Sequence, residues 1–215
     1  MTPSQRRAMF EAFARANPHP QGELRYASPF ELLVAVVLSA QATDRSVNAA
    51  TEVLFAKANT PAAIEALGES GLAAYIHAIG LYRSKARHII ALCRQLRERY
   101  GGAVPRTREE LESLPGVGRK SASVVLNIAF GEPCIAVDTH CFRVANRTGL
   151  ARGKNVREVE RQLGQVVPEK YRHDAHHWLI LHGRYVCKAR KPECWRCVIS
   201  RQCEYKPKTP APKAS

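Results

Sequence analysis

The run Leu111-Glu112-Ser113-Leu114-Pro115-Gly116-Val117-Gly118-Arg119-Lys120-Ser121-Ala122 decides the fold of this chain. It ends one capped helix, reverses direction through a Pro-Gly-x-Gly turn, and opens a second helix over 121–130. Gly116 and Gly118 let the backbone turn and come close to a bound group, because no Cβ stands in the way. The N–H groups of the turn and of the next helix then form an anion site. The pattern is typical of a helix-hairpin-helix that grips DNA phosphates without reading base sequence, and a plain αα-hairpin with a glycine cap is the alternative.

The turn and the lysine after it carry the candidate chemistry. The residues of the turn expected to contact DNA are Gly116, Val117, Gly118 and Arg119. Lys120 follows them at a helix N-terminus, beside a second cation, and both features disfavour an ammonium and favour the nucleophilic neutral amine. Such an amine can attack an electrophilic carbon and form a Schiff base. A solvated lysine that only binds phosphate is the alternative.

Helix-start signals recur from one end of the chain to the other. Thr2-Pro3-Ser4-Gln5 and Ser28-Pro29-Phe30-Glu31 each combine a capping residue, a proline at the first helical position, and Gln or Glu three residues after the cap. Thr60-Pro61 and Thr107-Arg108-Glu109-Glu110 repeat the signal. Sustained period-two alternation, which strands require, is absent from the sequence. The sequence therefore predicts an all-α protein of about ten helices joined by short loops.

Composition and net charge limit the class of protein and the kind of binding partner that fit this sequence. The 215 residues are 45% hydrophobic and 24% charged, which excludes a disordered, collagen-like or coiled-coil chain. The net charge of +14 favours a polyanionic partner, either nucleic acid or an anionic membrane surface. No apolar run approaches the ~18 residues of a membrane span, and no signal-type stretch follows the N-terminus. We expect a soluble cytoplasmic protein.

The cysteines point to a metal centre. Four of the seven form the array Cys187-x6-Cys194-x2-Cys197-x5-Cys203, and an odd total argues against a disulfide framework. Four thiolates at this density suit zinc or an iron–sulfur cluster, and the spacing leaves both open. The scattered cysteines are expected in the core, namely Cys93, Cys134 and Cys141.

Several stretches together resemble the helix-hairpin-helix DNA glycosylase family. The resemblance covers nearly all of the chain from Pro18 to Tyr205, with the motifs in the family's order. They are Leu38–Asp44, Ile79–Tyr82, Leu114–Ala122, Ala136-Val137-Asp138-Thr139-His140, His176–Gly183 and the cysteine array.

This resemblance implies an activity and a set of site residues. The expected protein is a bifunctional DNA glycosylase and AP lyase of base excision repair that removes oxidised pyrimidines from duplex DNA. Lys120 matches the family's Schiff-base lysine and Asp138 its catalytic aspartate, although an aspartate there is equally a helix N-cap. Gln41 and Leu81 match the two side chains inserted into the duplex when the damaged base is flipped out. The array matches a [4Fe–4S] cluster.

Further expectations concern DNA contacts. His140 is expected to touch DNA or orient the site, whereas His176, His177 and His182 are expected to be structural and to pack within the cluster domain. Cluster binding would fix cations of the Cys187–Cys194 loop toward the phosphate backbone. Those cations are Lys188, Arg190 and Lys191.

The expected architecture is a pair of helical domains that flank a DNA-binding cleft. A six-helix domain over about 21–131 contains the helix-hairpin-helix (about 107–130), and 1–20 with 132–205 form the cluster domain. Lys120 and Asp138 are expected to face each other across the cleft. Residues 206–215, rich in Pro and Lys, are expected to be a disordered basic tail, and the protein a monomer.

Two other functions stay open on the sequence. One is an adenine-type glycosylase, a group that lacks the Schiff-base lysine and carries a sizeable extra C-terminal domain. The other is a non-enzymatic DNA-binding iron–sulfur protein that uses the hairpin only as a clamp.

Overall fold

The structure, a computed structural model, describes residues 1–212. Over that range the chain is helical and contains no strand, which confirms the all-α prediction. Two short 3-10 helices, Glu169–Tyr171 and Cys194–Arg196, accompany ten α-helices in the described residues. In chain order these are α1 (Pro3–Ala16), α2 (Pro29–Ser39), α3 (Asp44–Lys57), α4 (Pro61–Ile76), α5 (Tyr82–Tyr100), α6 (Arg108–Glu112), α7 (Arg119–Phe130), α8 (Thr139–Thr148), α9 (Val156–Val166) and α10 (Arg172–Tyr185). None of these helices is both long and apolar enough to cross a bilayer.

The four predicted helix starts are confirmed. Thr2 and Gln5 exchange side-chain and backbone hydrogen bonds in a complete capping box at α1. Thr60 and Thr107 cap α4 and α6 by accepting from the backbone N–H three residues on. Ser28 caps α2 in the same way, but the Glu31 carboxylate bonds the N–H of Ala27, one residue before the expected partner.

One compact unit, Glu23–Glu132, is built around α2. This helix is buried along nearly its whole length and packs against α3, α5 and α7. Leu32, Leu33 and Leu38 are fully buried, and each contributes about 1.5–3 kcal/mol relative to an exposed side chain. The central helix thereby supports both α5 and α7, the two helices that begin at candidate site residues.

The other compact unit joins Met1–Gly22 to the chain from Pro133 onward. Phe10 and Phe13 of α1 pack with Tyr171 and Trp178 in an aromatic core. The Trp178 indole N–H donates to the Asn17 carbonyl at 2.9 Å, which ties the end of α1 to α10. The N-terminal helix is therefore part of the core that carries α8 and α10.

Candidate DNA interface and metal centre

The helix-hairpin-helix is formed by α6, its turn and α7. Gly116 has φ +79°, and a Cβ there would lie 3.0 Å from the Cβ of His88, so the position excludes a side chain on two grounds. Arg108 of α6 donates to the Ser123 hydroxyl of α7 at 2.7 Å and ties the two helices together. Gly118 is the N-cap of α7 and is exposed. Because it has no side chain, it leaves the start of the helix open to solvent. The arrangement is suited to binding an anion at the start of α7.

Val117 differs from the other predicted contacts of the turn. Its side chain is only 6% exposed, and its N–H donates to the Leu114 carbonyl at 3.1 Å. The Val117 side chain is therefore packed inside the protein, and its N–H is used within the turn. The backbone carbonyl is the polar group of Val117 that is left to contact a ligand. Gly118 and Arg119, in contrast, are exposed.

Lys120 is the second residue of α7 and is exposed. Its amine is therefore on the surface of its unit rather than in the core.

Asp138 is the N-cap of α8, as one of the two sequence-based interpretations predicted. Its Oδ1 accepts a hydrogen bond from the Cys141 N–H at 2.8 Å. The side chain is half-buried, so the cap orients a carboxylate at the positive end of a helix dipole. A helix N-cap keeps its negative charge, so capping does not remove the charge that a role at a bound sugar would need.

His140 is held by an arginine that the sequence analysis did not single out. Arg143 Nη2 lies 3.3 Å from His140 Nδ1 and donates to the Gly183 carbonyl at 2.7 Å, while Arg143 Nε donates to the Cys187 carbonyl at 3.0 Å. Because a guanidinium can only donate, His140 Nδ1 is the acceptor in a hydrogen bond between these two groups. A Cβ on Gly183 would come 2.8 Å from the Cβ of His140, so glycine permits this close packing of α8 on α10.

Gln41 and Leu81 share an unusual backbone. They are the two non-glycine residues with positive φ in the described chain, at 56° and 61°. The left-handed conformation costs an ordinary residue about 1–2 kcal/mol. Both are exposed, and Leu81 keeps 64% of its surface accessible. Residues strained in this way and pointing into solvent are a feature of binding sites rather than of the core.

The four cysteines of the array line one cavity. All seven cysteines lie in the described part of the chain and none forms a disulfide. The side chains of Cys187, Cys194, Cys197 and Cys203 line this cavity together with Arg147, His182 and other residues. Burial, helped by the three other thiols of the array and opposed by a backbone hydrogen bond at Ile199, raises the pKa of the Cys197 thiol to about 11.

The four thiols of the array are ligands that both zinc and iron–sulfur sites use. A tetrahedral zinc site needs sulfurs about 2.3 Å from one centre. Within residues 1–212, no three His, Cys, Asp or Glu side chains are grouped so as to hold one metal ion. The donor set, all thiols, is also the one that iron–sulfur clusters use.

Basic side chains lie against this cavity. Arg147 donates to Cys187 Sγ at 3.5 Å and to the carbonyls of Lys188 and Ala189 at 2.8 and 3.0 Å. His182 Nε2 lies 3.6 Å from Cys197 Sγ, and burial lowers the pKa of His182 to about 4, an effect to which Arg196 adds. Arginine donors to sulfur stabilise thiolate character, which metal ligation requires.

The other histidines and scattered cysteines fall largely where the sequence predicted. His176 and His177 are buried with His182 in α10. Cys93 and Cys141 are fully buried, whereas Cys134 is half-buried.

The predicted tail includes a residue that contacts the cysteine array. Lys208 Nζ donates to the Cys203 carbonyl at 2.8 Å, and Lys208 lines the cysteine cavity. Residues 213–215 of the predicted tail lie outside the described residues. The disorder of the tail as a whole stays a prediction.

The cations of the Cys187–Cys194 loop are not equivalent. Lys188 is paired with Glu193 at 2.6 Å, and this bond, with that of Arg196, lowers the pKa of the Glu193 carboxyl. Arg190 and Lys191 are exposed, and no ion pair within the described chain involves them. The last two are therefore the cations best placed to meet a phosphate.

Comparisons with known proteins agree with this geometry. The model of the HhH-GPD superfamily of base excision DNA repair proteins matches residues 34–169. The chain is 63% identical to Endonuclease III of Haemophilus influenzae over 192 residues, which are 89% of this chain and 91% of the relative. It is 62% identical to Endonuclease III of Escherichia coli K12 over the same shares. The structure of a trapped endonuclease III–DNA covalent intermediate matches with a TM-score of 0.88 and 47% identity, covering 95% of this chain and 96% of that one.

The fold and the hairpin thus define a helix-hairpin-helix protein of base excision DNA repair. At these identities the chain belongs to the HhH-GPD superfamily and, within it, to the endonuclease III family. The resemblance expected from the sequence is confirmed.

Proposed function

We propose that this chain removes oxidised pyrimidines from duplex DNA through a Schiff base on Lys120 and then cleaves the abasic site by β-elimination. The single observation that supports this most directly is the exposed Lys120 amine, immediately after the hairpin turn. The broader activity follows from the family: the chain is a DNA glycosylase and AP lyase of base excision repair that acts on double-stranded DNA. We further propose that it works as a cytoplasmic monomer on the nucleoid.

The first step is extrusion of the damaged base. A base inside a stacked duplex must be flipped out, which costs a few kcal/mol and least for a damaged base. The side chains proposed to fill the vacated space are Gln41, which can hydrogen-bond the orphaned base, and Leu81, an apolar wedge. The hairpin backbone at 116–119, His140, Arg190 and Lys191 would hold the phosphates on either side.

In the second step, the Lys120 amine replaces the damaged base at C1′ of the sugar. The Lys120 amine adds to C1′ as the C1′–N bond to the base breaks, and the base leaves with a proton. The ring opens to an iminium, which acidifies the C2′ hydrogen. Loss of that proton expels the 3′ phosphate through cleavage of the C3′–O bond, and water then releases the lysine.

Asp138 would stabilise the positive charge that develops at C1′ or accept the amine's proton. The cap bond to Cys141 keeps the carboxylate oriented before DNA arrives.

The residues proposed to hold a [4Fe–4S] cluster are Cys187, Cys194, Cys197 and Cys203. When bound, the cluster supplies iron–thiolate bonds that cross-link a segment with little regular structure. Arg147 then fixes the loop by its bonds to Lys188 and Ala189, and Arg190 and Lys191 face outward. The role proposed for the centre is structural and DNA-docking.

The function is tested by borohydride reduction in the presence of duplex DNA with one abasic site. A covalent protein–DNA adduct is expected, since borohydride reduces the iminium to a stable amine. An adenine-type glycosylase or a DNA-binding iron–sulfur protein would give no adduct. Excision assays on several oxidised pyrimidines would then define the lesions accepted.

The variant Asp138→Asn separates the helix-capping role of Asp138 from its proposed role in base release. Asparagine caps helices about as well as aspartate, so the free energy of unfolding is expected to change by less than about 0.5 kcal/mol. Loss of the negative charge is expected to slow base release by about 10²–10³-fold. Single-turnover excision and chemical denaturation measure the two effects, and Asp138→Ala, which also loses the cap, is the control. Wild-type excision by Asp138→Asn would leave Asp138 as a cap only.

The loop cations are expected to differ in their contribution to DNA binding. Lys191→Ala removes an unpaired cation and should reduce the slope of log K against log salt concentration by about 0.9, the value for one phosphate contact. Lys188→Ala should change the slope less, because Glu193 already neutralises that ammonium. Fluorescence anisotropy on undamaged duplex DNA at several salt concentrations measures both slopes. Equal slopes for the two variants would contradict this assignment.

A further inference from the structure

Two strained loops of the 23–132 unit lie next to each other. Gln41 follows the end of α2 and Leu81 precedes α5, and each has positive φ. A Cβ on Gly80 would lie 3.9 Å from the Gln41 carbonyl oxygen, so the backbones of the two loops are in near contact. Strained residues persist only where the surroundings hold them in place. Something in this region must therefore fix both loops.

Lys85 is the residue that connects them. It lies in the first turn of α5, is only 6% exposed, and donates from Nζ to the carbonyls of Leu38 and Ala40 at 2.8 and 2.6 Å. Its own N–H donates to the Leu81 carbonyl at 3.0 Å. The Lys85 side chain thus bonds the chain immediately before Gln41, and its backbone N–H makes the first-turn helical bond to Leu81.

The chemistry of these bonds explains why the residue is a lysine. The last carbonyls of an α-helix have no partner within the helix, and a cation is favoured at that negative end of the dipole. Burial without a carboxylate partner is unfavourable for an ammonium and lowers the pKa of Lys85. An aliphatic side chain would fill the same space without that cost. The contribution of Lys85 is therefore its hydrogen-bond donors, which hold the end of α2 against the start of α5.

We propose that Lys85 is a positioning residue that presets the Gln41 and Leu81 loops in the one arrangement in which both side chains enter the duplex together. The proposal rests on the insertion roles given to Gln41 and Leu81 under the proposed function. Loops ordered before DNA binds do not lose that freedom on binding, which favours the flipped-out state. Lys85 itself touches neither DNA nor the reacting atoms.

The test compares duplex and single-stranded abasic DNA. Lys85→Met keeps the length of the side chain and removes its donors. On a duplex, where a stack must be invaded, we expect strand cleavage to fall at least about tenfold at subsaturating enzyme. On a single-stranded abasic oligonucleotide, which has no partner base to replace, cleavage should stay within about twofold of wild type. Equal loss on both substrates, or loss on neither, would overturn the proposal.

A second measurement does not depend on the folding of Lys85→Met. The single variants Gln41→Ala and Leu81→Ala are compared with the double variant, and all three keep Lys85. Both substitutions change exposed side chains. If Lys85 makes the two loops one unit, the combined loss on duplex DNA should differ from the product of the single losses by at least about threefold. A simple product would mean that the loops act independently and would overturn the proposal. If the wild-type chain formed no borohydride adduct with abasic DNA, the proposed function itself would fail, which distinguishes the two outcomes.

Discussion

Lys120→Arg is expected to abolish the borohydride-trapped adduct and to slow strand cleavage at an abasic site by at least about 10³-fold. Arginine keeps the positive charge and the exposed position at the start of α7, but it cannot be deprotonated in proteins and does not form a Schiff base. Affinity for duplex DNA should change by less than about tenfold, since the phosphate-binding charge remains.

This variant decides between the two interpretations of Lys120. If the lysine only bound phosphate, arginine would replace it and the adduct would be formed by another amine. Lys57→Ala, which removes an exposed lysine from the last turn of α3 in the same unit, is the matched control and should trap like wild type. Gel analysis of adduct and cleaved strand under single-turnover conditions reports both steps. Adduct formation by Lys120→Arg at the wild-type rate would refute the Schiff-base role.

Cys194→Ser is expected to remove the cluster and with it the order of the 187–203 segment. The only regular structure there, in the described chain, is the 3-10 helix Cys194–Arg196, so the segment depends on ligation for its shape. Iron should fall from about four per chain toward zero, together with the visible absorption of the cluster. Affinity for duplex DNA should drop by at least about tenfold, because Arg190 and Lys191 are no longer held on one loop.

The control for this variant is Cys134→Ser. Cys134 is also half-buried but lies outside the array, so its replacement should leave iron content and DNA affinity unchanged. Iron and zinc analysis, absorption spectra and limited proteolysis distinguish the outcomes. One zinc and no iron per wild-type chain would favour the alternative that cysteine spacing left open. No metal, with full proteolytic resistance of Cys194→Ser, would show the metal centre to be wrong.

Much of the fold could be predicted because its signals are local. A capping residue such as Thr2 needs only the N–H groups of its own first turn, and Gly116 needs only a positive φ within its own turn. The same holds for the cysteine array, whose members lie within seventeen residues of chain. These features can therefore be recognised from the amino-acid sequence alone.

Other parts of the site depend on contacts between distant residues. The Lys85 ammonium bonds a carbonyl 47 positions earlier, and Arg143 bonds a carbonyl 44 positions later. No spacing rule marks either residue, because each is an ordinary basic side chain on an amphipathic helix. The burial of Val117 and the neutralisation of Lys188 by Glu193 are likewise results of folding.

The sequence by itself determined the all-α class, the hairpin, the array and the identity of the candidate nucleophile, since each depends on residues adjacent in the chain. Only the tertiary structure decided which cations remain available to DNA and which residues hold Gln41, Leu81 and His140 in place. The physical reason is that buried Lys85 and half-buried Arg143 act by donating to backbone carbonyls far away in the chain. Those carbonyls come within reach of the donors only when the helices pack together.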